Sequence, residues 1–101
     1  MIDSSALAYA LTKKAEWRRE KAERHPEDVR NLRAAETLES LADQVKDLDP
    51  ELAQRLDALV DDESGKGEEV AEFFEEVITA IGFRHEVTTI DELVQDVLKG
   101  A

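Results

Sequence analysis

The sequence contains no cysteine and few aromatic residues. Without cysteine the chain can form neither disulfides nor thiolate metal sites, and it has no thiol nucleophile. The small aromatic complement leaves little material for stacking on bases or for an aromatic ligand pocket. It consists of Tyr9, Trp17, Phe73, Phe74 and Phe83. The core therefore has to be built mainly from Leu, Val, Ile and Ala side chains.

Long apolar runs are also missing. No stretch approaches the roughly 18 apolar residues that mark a candidate membrane-spanning helix. The N-terminal segment lacks the basic lead-in and the length of a signal peptide. A chain of 101 residues is long enough for one domain with a modest core. These features predict a soluble, cytoplasmic protein with no membrane partner, in which residues 1–101 form a single helical domain.

Charge is distributed unevenly along the chain. The formal net charge is −12, yet residues 13–33 carry eight basic and five acidic residues, a net of +3. The remainder has a net charge of −15, and residues 61–76 alone hold eight carboxylates and one lysine. Such a field repels nucleic acid and anionic membranes and favours cationic partners.

Helix-forming residues and stop signals divide the chain into five predicted helices. The first begins near Ser4 and ends at Arg24, before the helix-disfavouring His25–Pro26 pair. Pro26 is predicted to occupy the first position of the second helix, where its missing N–H costs nothing. A similar Asp49–Pro50 pair is predicted to start a short third helix that ends near Val60.

Apolar spacing and local capping signals complete this prediction. The second helix carries a short seam at steps of three and four residues, formed by Leu38, Leu41, Val45 and Leu48. The stretch DDESGKG, residues 61–67, is predicted to be a flexible acidic linker. The fourth helix then spans about residues 68–81 and is followed by Gly82, which suits the left-handed position after a helix. The fifth helix follows a capping box that starts at Thr89.

The resulting fold class is all-α, an irregular bundle of about five helices. The two N-terminal helices are predicted to be longer and the three C-terminal helices shorter. Because the linker joins the third and fourth helices, it is expected to let the last two helices move, or to let them swap between chains.

One line of the first helix starts apolar and becomes basic. At steps of three and four residues it contains Leu7, Leu11, Lys14, Arg18 and Lys21. One interpretation is a solvated face, where lysine and arginine stems cover apolar surface and their charges pair with glutamates of the same helix. The other interpretation is a binding surface that faces something acidic, either the protein's own second half, a second copy, or another protein.

The second interpretation defines five candidate partner-binding residues, because Trp and Arg are frequent interface anchors. They are Lys14, Trp17, Arg18, Lys21 and Arg30.

No motif in the sequence identifies a reaction. The acidic segment at residues 61–72 departs from a calcium loop, because Lys66 stands where the loop requires glycine. His25 and His85 lie far apart, and although His85 could pair with Glu86, nothing nearby resembles a nucleophile. The last helix carries acids where base recognition needs Arg, Lys, Asn or Gln. The sequence therefore predicts no catalytic residue, no cofactor, no metal site and no direct nucleic-acid binding.

The segment WRREKAERHPEDVRNLRAAETLESLA, residues 17–42, resembles a pattern in short uncharacterised bacterial proteins that are helical by sequence. The matching elements are Trp17-Arg18-Arg19, Lys21-Ala22, Pro26, Asp28, Arg30-Asn31, Ala34-Ala35, Leu38 and Leu41-Ala42, and a later Gly82-Phe83 followed by a helix is similar too. The resemblance brings no activity and no cofactor. It implies that residues 17–31 form a helix–proline–helix corner, in which Arg30 and Asn31 return toward Trp17 and Glu20.

These observations favour a non-enzymatic protein-interaction or oligomerisation module that forms a homodimer. The alternative is an acidic regulator that masks the basic surface of a nucleic-acid-binding protein, since residues 61–76 form a dense anionic band.

Overall fold

A computed structural model describes residues 4–60 and 66–100, and the side chains of residues 6–59 and 68–100. Within these ranges the chain forms five α-helices and no strand, which confirms the predicted all-α class. The two N-terminal helices contain 21 and 16 residues, and the other three contain 11, 15 and 11. The helices are α1 (Ser4–Arg24), α2 (Val29–Gln44), α3 (Pro50–Val60), α4 (Lys66–Ala80) and α5 (Ile90–Gly100).

The first two helices form a hairpin that is closed by a tight turn. The turn bond runs from the Asp28 N–H to the carbonyl of His25 at 3.0 Å. The side chain of Asp28 caps α2 by accepting a hydrogen bond from the backbone N–H of Arg30 at 3.1 Å. Since Asp28 is the N-cap, the helix begins at Val29, and the prediction that Pro26 opens it is wrong.

The core is aliphatic and draws on all five helices. In the predicted seam, Leu38 and Leu41 of α2 are completely buried and Val45 is nearly so. Val45 and the half-buried Leu48 lie beyond the end of α2, which is shorter than the seam predicted. Leu52 and Leu56 of α3 are also buried. The largest side chains with almost no exposure are Leu11, Leu38, Leu41, Ile78, Ile81, Leu93, Val94 and Val97. Burial of these groups supplies most of the favourable free energy of folding.

Two of the predicted helix caps are confirmed by their hydrogen bonds. Asp49 Oδ1 accepts from the backbone N–H of Glu51 at 3.0 Å, at the start of α3. Thr89 Oγ1 accepts from the backbone N–H of Glu92 at 3.2 Å, at the start of α5. Each cap satisfies a backbone donor that the first helical turn leaves unpaired.

The end of α2 and the start of α5 are joined by one side chain. Gln44 Oε1 accepts a hydrogen bond from the backbone N–H of Ile90 at 3.0 Å, and its Nε2 donates to the carbonyl of Thr88 at 3.2 Å. Because one amide meets both a donor and an acceptor, it ties the two helix ends together across 46 residues of sequence.

The boundary before α4 differs from the prediction. The sequence predicts that residues 66 and 67 belong to the linker, but both belong to the helix. Residues 61–65 lie outside the described residues, so movement or swapping at this linker stays a prediction. After α4 the chain turns at Gly82, whose φ of 85° is the left-handed conformation expected from the sequence.

Candidate interaction surface

The line of residues that turns from apolar to basic lies on the inner side of α1. Leu7 and Leu11 are buried in the core, and Arg18 is only 8% exposed. Lys14 is mostly covered as well, with 17% of its side chain exposed. The line therefore faces the rest of the same chain, which is one of the alternatives that the sequence left open.

Arg18 connects three parts of the fold. Its Nη1 donates a hydrogen bond to Oδ1 of Asn31 on α2 at 3.2 Å, and its Nη2 donates to the carbonyl of Thr79 in the last turn of α4. The guanidinium carbon also lies 4.6 Å from the ring centre of Trp17 and 4.2 Å from that of Phe83. A cation at this place stabilises the negative end of α4 and the faces of two aromatic rings.

The charge of Arg18 is held in a desolvated position. Burial lowers the pKa of Arg18 from its ordinary value, and the negative charge of Asp28 opposes this by raising it. The guanidinium stays protonated, because arginine is not deprotonated in proteins. Its Nε is buried without a hydrogen-bond partner among the described residues. Of the five candidate partner-binding residues, Arg18 is thus the most deeply buried.

Arg30 lies at the start of α2 and pairs with the helix cap. Its Nε and Nη2 donate to the two carboxylate oxygens of Asp28, both at 2.9 Å. Its guanidinium carbon is also 4.8 Å from the Phe83 ring centre, so two arginines contact the same ring. The hydrogen bond from Arg30 lowers the pKa of Asp28 to about 2, and the same pair raises the pKa of Arg30.

The Asp28–Arg30 pair predicts how the stabilising effect of the Asp28 cap depends on pH. Asp28 has a folded-state pKa below its ordinary 3.8, so its contribution to stability is present above pH 3.8 and is lost as the pH falls through about 2. In an NMR carboxyl titration we expect the Asp28 midpoint near pH 2 in the wild type. In Arg30→Gln it should move up toward 3.8. Equal midpoints in the two proteins would contradict the pairing.

Trp17 lies on the outside of the hairpin rather than in its corner. The indole is 37% exposed, and the Nζ atoms of Lys14 and Lys21 lie 4.8 and 5.4 Å from its ring centre. Asn31 returns toward α1 as the corner hypothesis expected, but its hydrogen bond is with Arg18. The lysines therefore cover part of Trp17, and the remaining exposed surface of the indole is accessible to a partner.

An open apolar groove of about 430 Å³ runs between α1 and α4 beside Trp17. Its walls are small or apolar side chains, and its rims carry aromatic and charged ones. We refer to it as the α1–α4 groove, lined by Ala6, Leu7, Tyr9, Ala10, Lys13, Lys14, Trp17, Ala71, Phe74 and Glu75. It brings two of the five candidate residues, Lys14 and Trp17, together with residues of α4. Lys21 and Arg30 are not among its lining residues.

An ion pair links the two helices across the groove. Lys14 Nζ lies 3.4 Å from a carboxylate oxygen of Glu75. On the α1 rim, Lys13 Nζ lies 3.5 Å from Glu16 and 5.5 Å from the ring centre of Tyr9. Because Lys13 and Glu75 both have more than half of their side chains exposed, each pair adds little to stability, and the charges of these two residues are accessible.

Reasoning from the sequence missed most of this groove. Tyr9 is 65% exposed and stands beside Trp17 on the surface, but it was not identified as a site residue. A signal was present, because Tyr9, Lys13 and Trp17 follow one another at four-residue steps and so share one face of a helix. The residues of α4 carried no such signal, since Phe74 fits an ordinary core-facing pattern and Ala71 is an ordinary helix-forming residue.

The second histidine has a different partner from the one the sequence suggested. His85 Nε2 lies 2.9 Å from Oδ2 of Asp96 on α5, rather than beside Glu86. Among the described residues, no group of three or more His, Asp or Glu side chains is placed to hold a metal ion. The His85–Asp96 contact joins the connector after α4 to α5.

Comparison with models of known protein families finds none that matches this chain. No curated protein and no solved structure matches it either. In the part of the chain that the structure describes, none of the helices combines the length and the apolar character that a membrane crossing requires.

Proposed function

We propose that the protein is a small non-enzymatic interaction module that acts in the cytoplasm and forms a homodimer through the α1–α4 groove. The observation that carries the proposal is an open apolar groove with two exposed aromatic side chains, Tyr9 and Trp17, on its rim. Aromatic side chains offer a large contact area at a low cost in conformational entropy. A contiguous exposed apolar patch marks an interaction site more often than scattered apolar residues do.

The shape of the groove suits a helix as its occupant. The exposed parts of its walls include three alanines, Ala6, Ala10 and Ala71, whose short side chains let another backbone approach closely. An amphipathic helix docks in such a groove through residues spaced three and four apart. The Tyr9–Lys13–Trp17 face of α1 has this spacing, so a second copy of the chain carries a suitable helix.

The dimer is tested by solution mass and by a matched pair of alanine substitutions. Ala71 lies in the groove, whereas Ala58 is exposed on α3 outside it, so Ala71→Gln and Ala58→Gln make the same neutral change at two helical sites. We expect the wild type to show twice the 11.4 kDa of one chain by size exclusion with light scattering. Ala71→Gln should weaken the dimer by about tenfold or more, because glutamine fills an apolar interface with a polar group.

The Ala58→Gln variant and the salt dependence of the dimer are the controls. Ala58→Gln should leave the mass and its concentration dependence unchanged. The wild-type dimer should persist at high salt, because burial of apolar surface is not screened by ions. Equal effects of the two substitutions would show that the groove is not the dimer interface, and a monomer at every concentration would contradict self-association.

A second candidate function is supported by the exposed acidic face of α4. Glu68, Glu69, Glu72, Glu75 and Glu76 are all exposed on this helix. A band of this kind fits an acidic regulator that masks the basic surface of a nucleic-acid-binding protein. A monomer that binds a basic protein such as protamine, with affinity that falls steeply as salt rises, would favour this function over the homodimer.

A further inference from the structure

The two rims of the α1–α4 groove carry opposite charges. The α1 rim has Lys13 and Lys14, and the α4 rim has Glu75. Glu68, Ala71 and Glu75 follow one another at steps of three and four residues, so Glu68 extends the acidic rim by about two turns. The groove is therefore apolar at its floor, basic along one side and acidic along the other.

The net negative charge of each chain disfavours association of two copies. Each chain has a formal net charge of −12, so a random encounter places like charges together. Association is favoured only in an arrangement that brings a basic part of one copy to an acidic part of the other. The α1 rim lies within the basic part of the sequence, and the α4 rim lies within its most acidic part.

A two-fold axis places a basic part of each copy on an acidic part of the other, so the same contact forms twice. In such an interface the same surface is used by both copies, so each contact from residue i to residue j is repeated from j to i. A groove with one basic and one acidic rim is self-complementary under this operation. The exposed rings of Tyr9 and Trp17 on each copy would then cover the apolar floor of the other.

We propose that the partner in the α1–α4 groove is the same face of a second copy, turned about a two-fold axis, so that the α1 rim of each copy lies on the α4 rim of the other. This inference rests on the proposed self-association and adds its geometry. It assigns Lys13 and Glu75 to opposite sides of the interface, where they pair across it and favour the alignment that sets the basic rim of each copy on the acidic rim of the other.

Charge reversal at these two positions tests the geometry. Lys13→Glu places two acidic rims together, and Glu75→Lys places two basic rims together. We expect each variant by itself to weaken the dimer by about tenfold or more. When the two variants are mixed in equal amounts, both rim contacts again join opposite charges. The mixture is therefore expected to recover the wild-type mass by size exclusion with light scattering.

The Glu75→Lys variant separates local pairing from net charge. This substitution makes a chain of net charge −12 less negative by two charges, so general repulsion between copies would decrease and the dimer would become stronger. Pairing between the rims predicts instead that Glu75→Lys weakens the dimer. Lys46→Glu and Glu86→Lys, at exposed positions outside the groove, serve as matched controls and should leave dimerisation unchanged. Circular dichroism and melting temperature confirm that each variant is folded.

The outcomes distinguish the two proposals. Weakening by both variants with recovery on mixing supports the two-fold geometry. A wild-type dimer that is insensitive to both reversals, that is strengthened by Glu75→Lys, or that is not recovered by mixing overturns the geometry and leaves self-association standing. A wild-type chain that is monomeric at all concentrations overturns the proposed self-association and the geometry together.

Discussion

Replacement of Arg18 by alanine is expected to destabilise the protein by about 3 kcal/mol, because it leaves one buried and one partly buried hydrogen-bond acceptor without a donor. The amide oxygen of Asn31 and the carbonyl oxygen of Thr79 both accept from this guanidinium. The substitution also removes a cation from the negative end of α4 and from the rings of Trp17 and Phe83. Urea unfolding followed by circular dichroism measures the loss.

Three further variants identify which property of Arg18 matters. Arg18→Lys keeps the charge but lacks the planar fork that reaches two acceptors, so it should lose about half as much stability. Arg18→Met keeps the apolar stem and tests the polar contacts alone. Arg33→Ala, at an exposed position on α2, is the matched control and should change stability by about 0.5 kcal/mol or less.

The Arg18→Met variant tests whether the hydrogen bonds of Arg18 contribute to stability. Replacement of a buried charge by an apolar group of similar size is neutral or stabilising in some proteins, because the charge no longer has to be desolvated. If Arg18→Met were as stable as the wild type, the hydrogen bonds to Asn31 and Thr79 would contribute nothing net. The position would then matter only for packing.

Replacement of Gly82 by alanine is the second substitution with a large expected effect, again about 3 kcal/mol. Gly82 has φ of 85°, a conformation that is strained for any residue with a Cβ. An added Cβ would also lie 2.8 Å from Cβ and 3.1 Å from Cα of Ala34. Because Ala34 is completely buried on α2, the backbone of one element has to shift.

A double-mutant cycle separates the conformational cost at Gly82 from the steric one. Ala34→Gly alone should destabilise by about 1 kcal/mol or more, as a glycine in a helix interior with a lost methyl contact. In the double variant the added methyl has room, so the total loss should be smaller than the sum of the two single losses. Additive losses by chemical denaturation would show that backbone conformation alone accounts for the effect.

Much of the fold could be predicted because its signals are local. The caps at Asp49 and Thr89 and the left-handed turn at Gly82 depend on residues within one helical turn of each other, and each is confirmed. The start of α2 was misplaced for a local reason as well. Two neighbouring signals competed, and the Asp28 carboxylate caps the helix where Pro26 had been expected to begin it.

The candidate site was predicted less well, because a helical pattern defines a face without defining what covers it. Trp17 and Arg18 are adjacent in sequence, yet about 100° of helix rotation separates them. That rotation places the arginine in the interior and leaves the tryptophan at the rim of the groove. Tyr9 was overlooked because its importance depends on Ala71 and Phe74, which are more than 60 residues away in sequence.

Sequence by itself determined the all-α class, the order of five helices, the capped starts of α3 and α5, and the aliphatic core. All of these follow from short-range conformational preferences and from the spacing of apolar residues. Tertiary structure alone decided which basic residues are buried, that Arg18 binds the end of α4, and that α1 and α4 enclose a groove. The physical reason is that these features depend on distances between helices remote in sequence, which no local preference encodes.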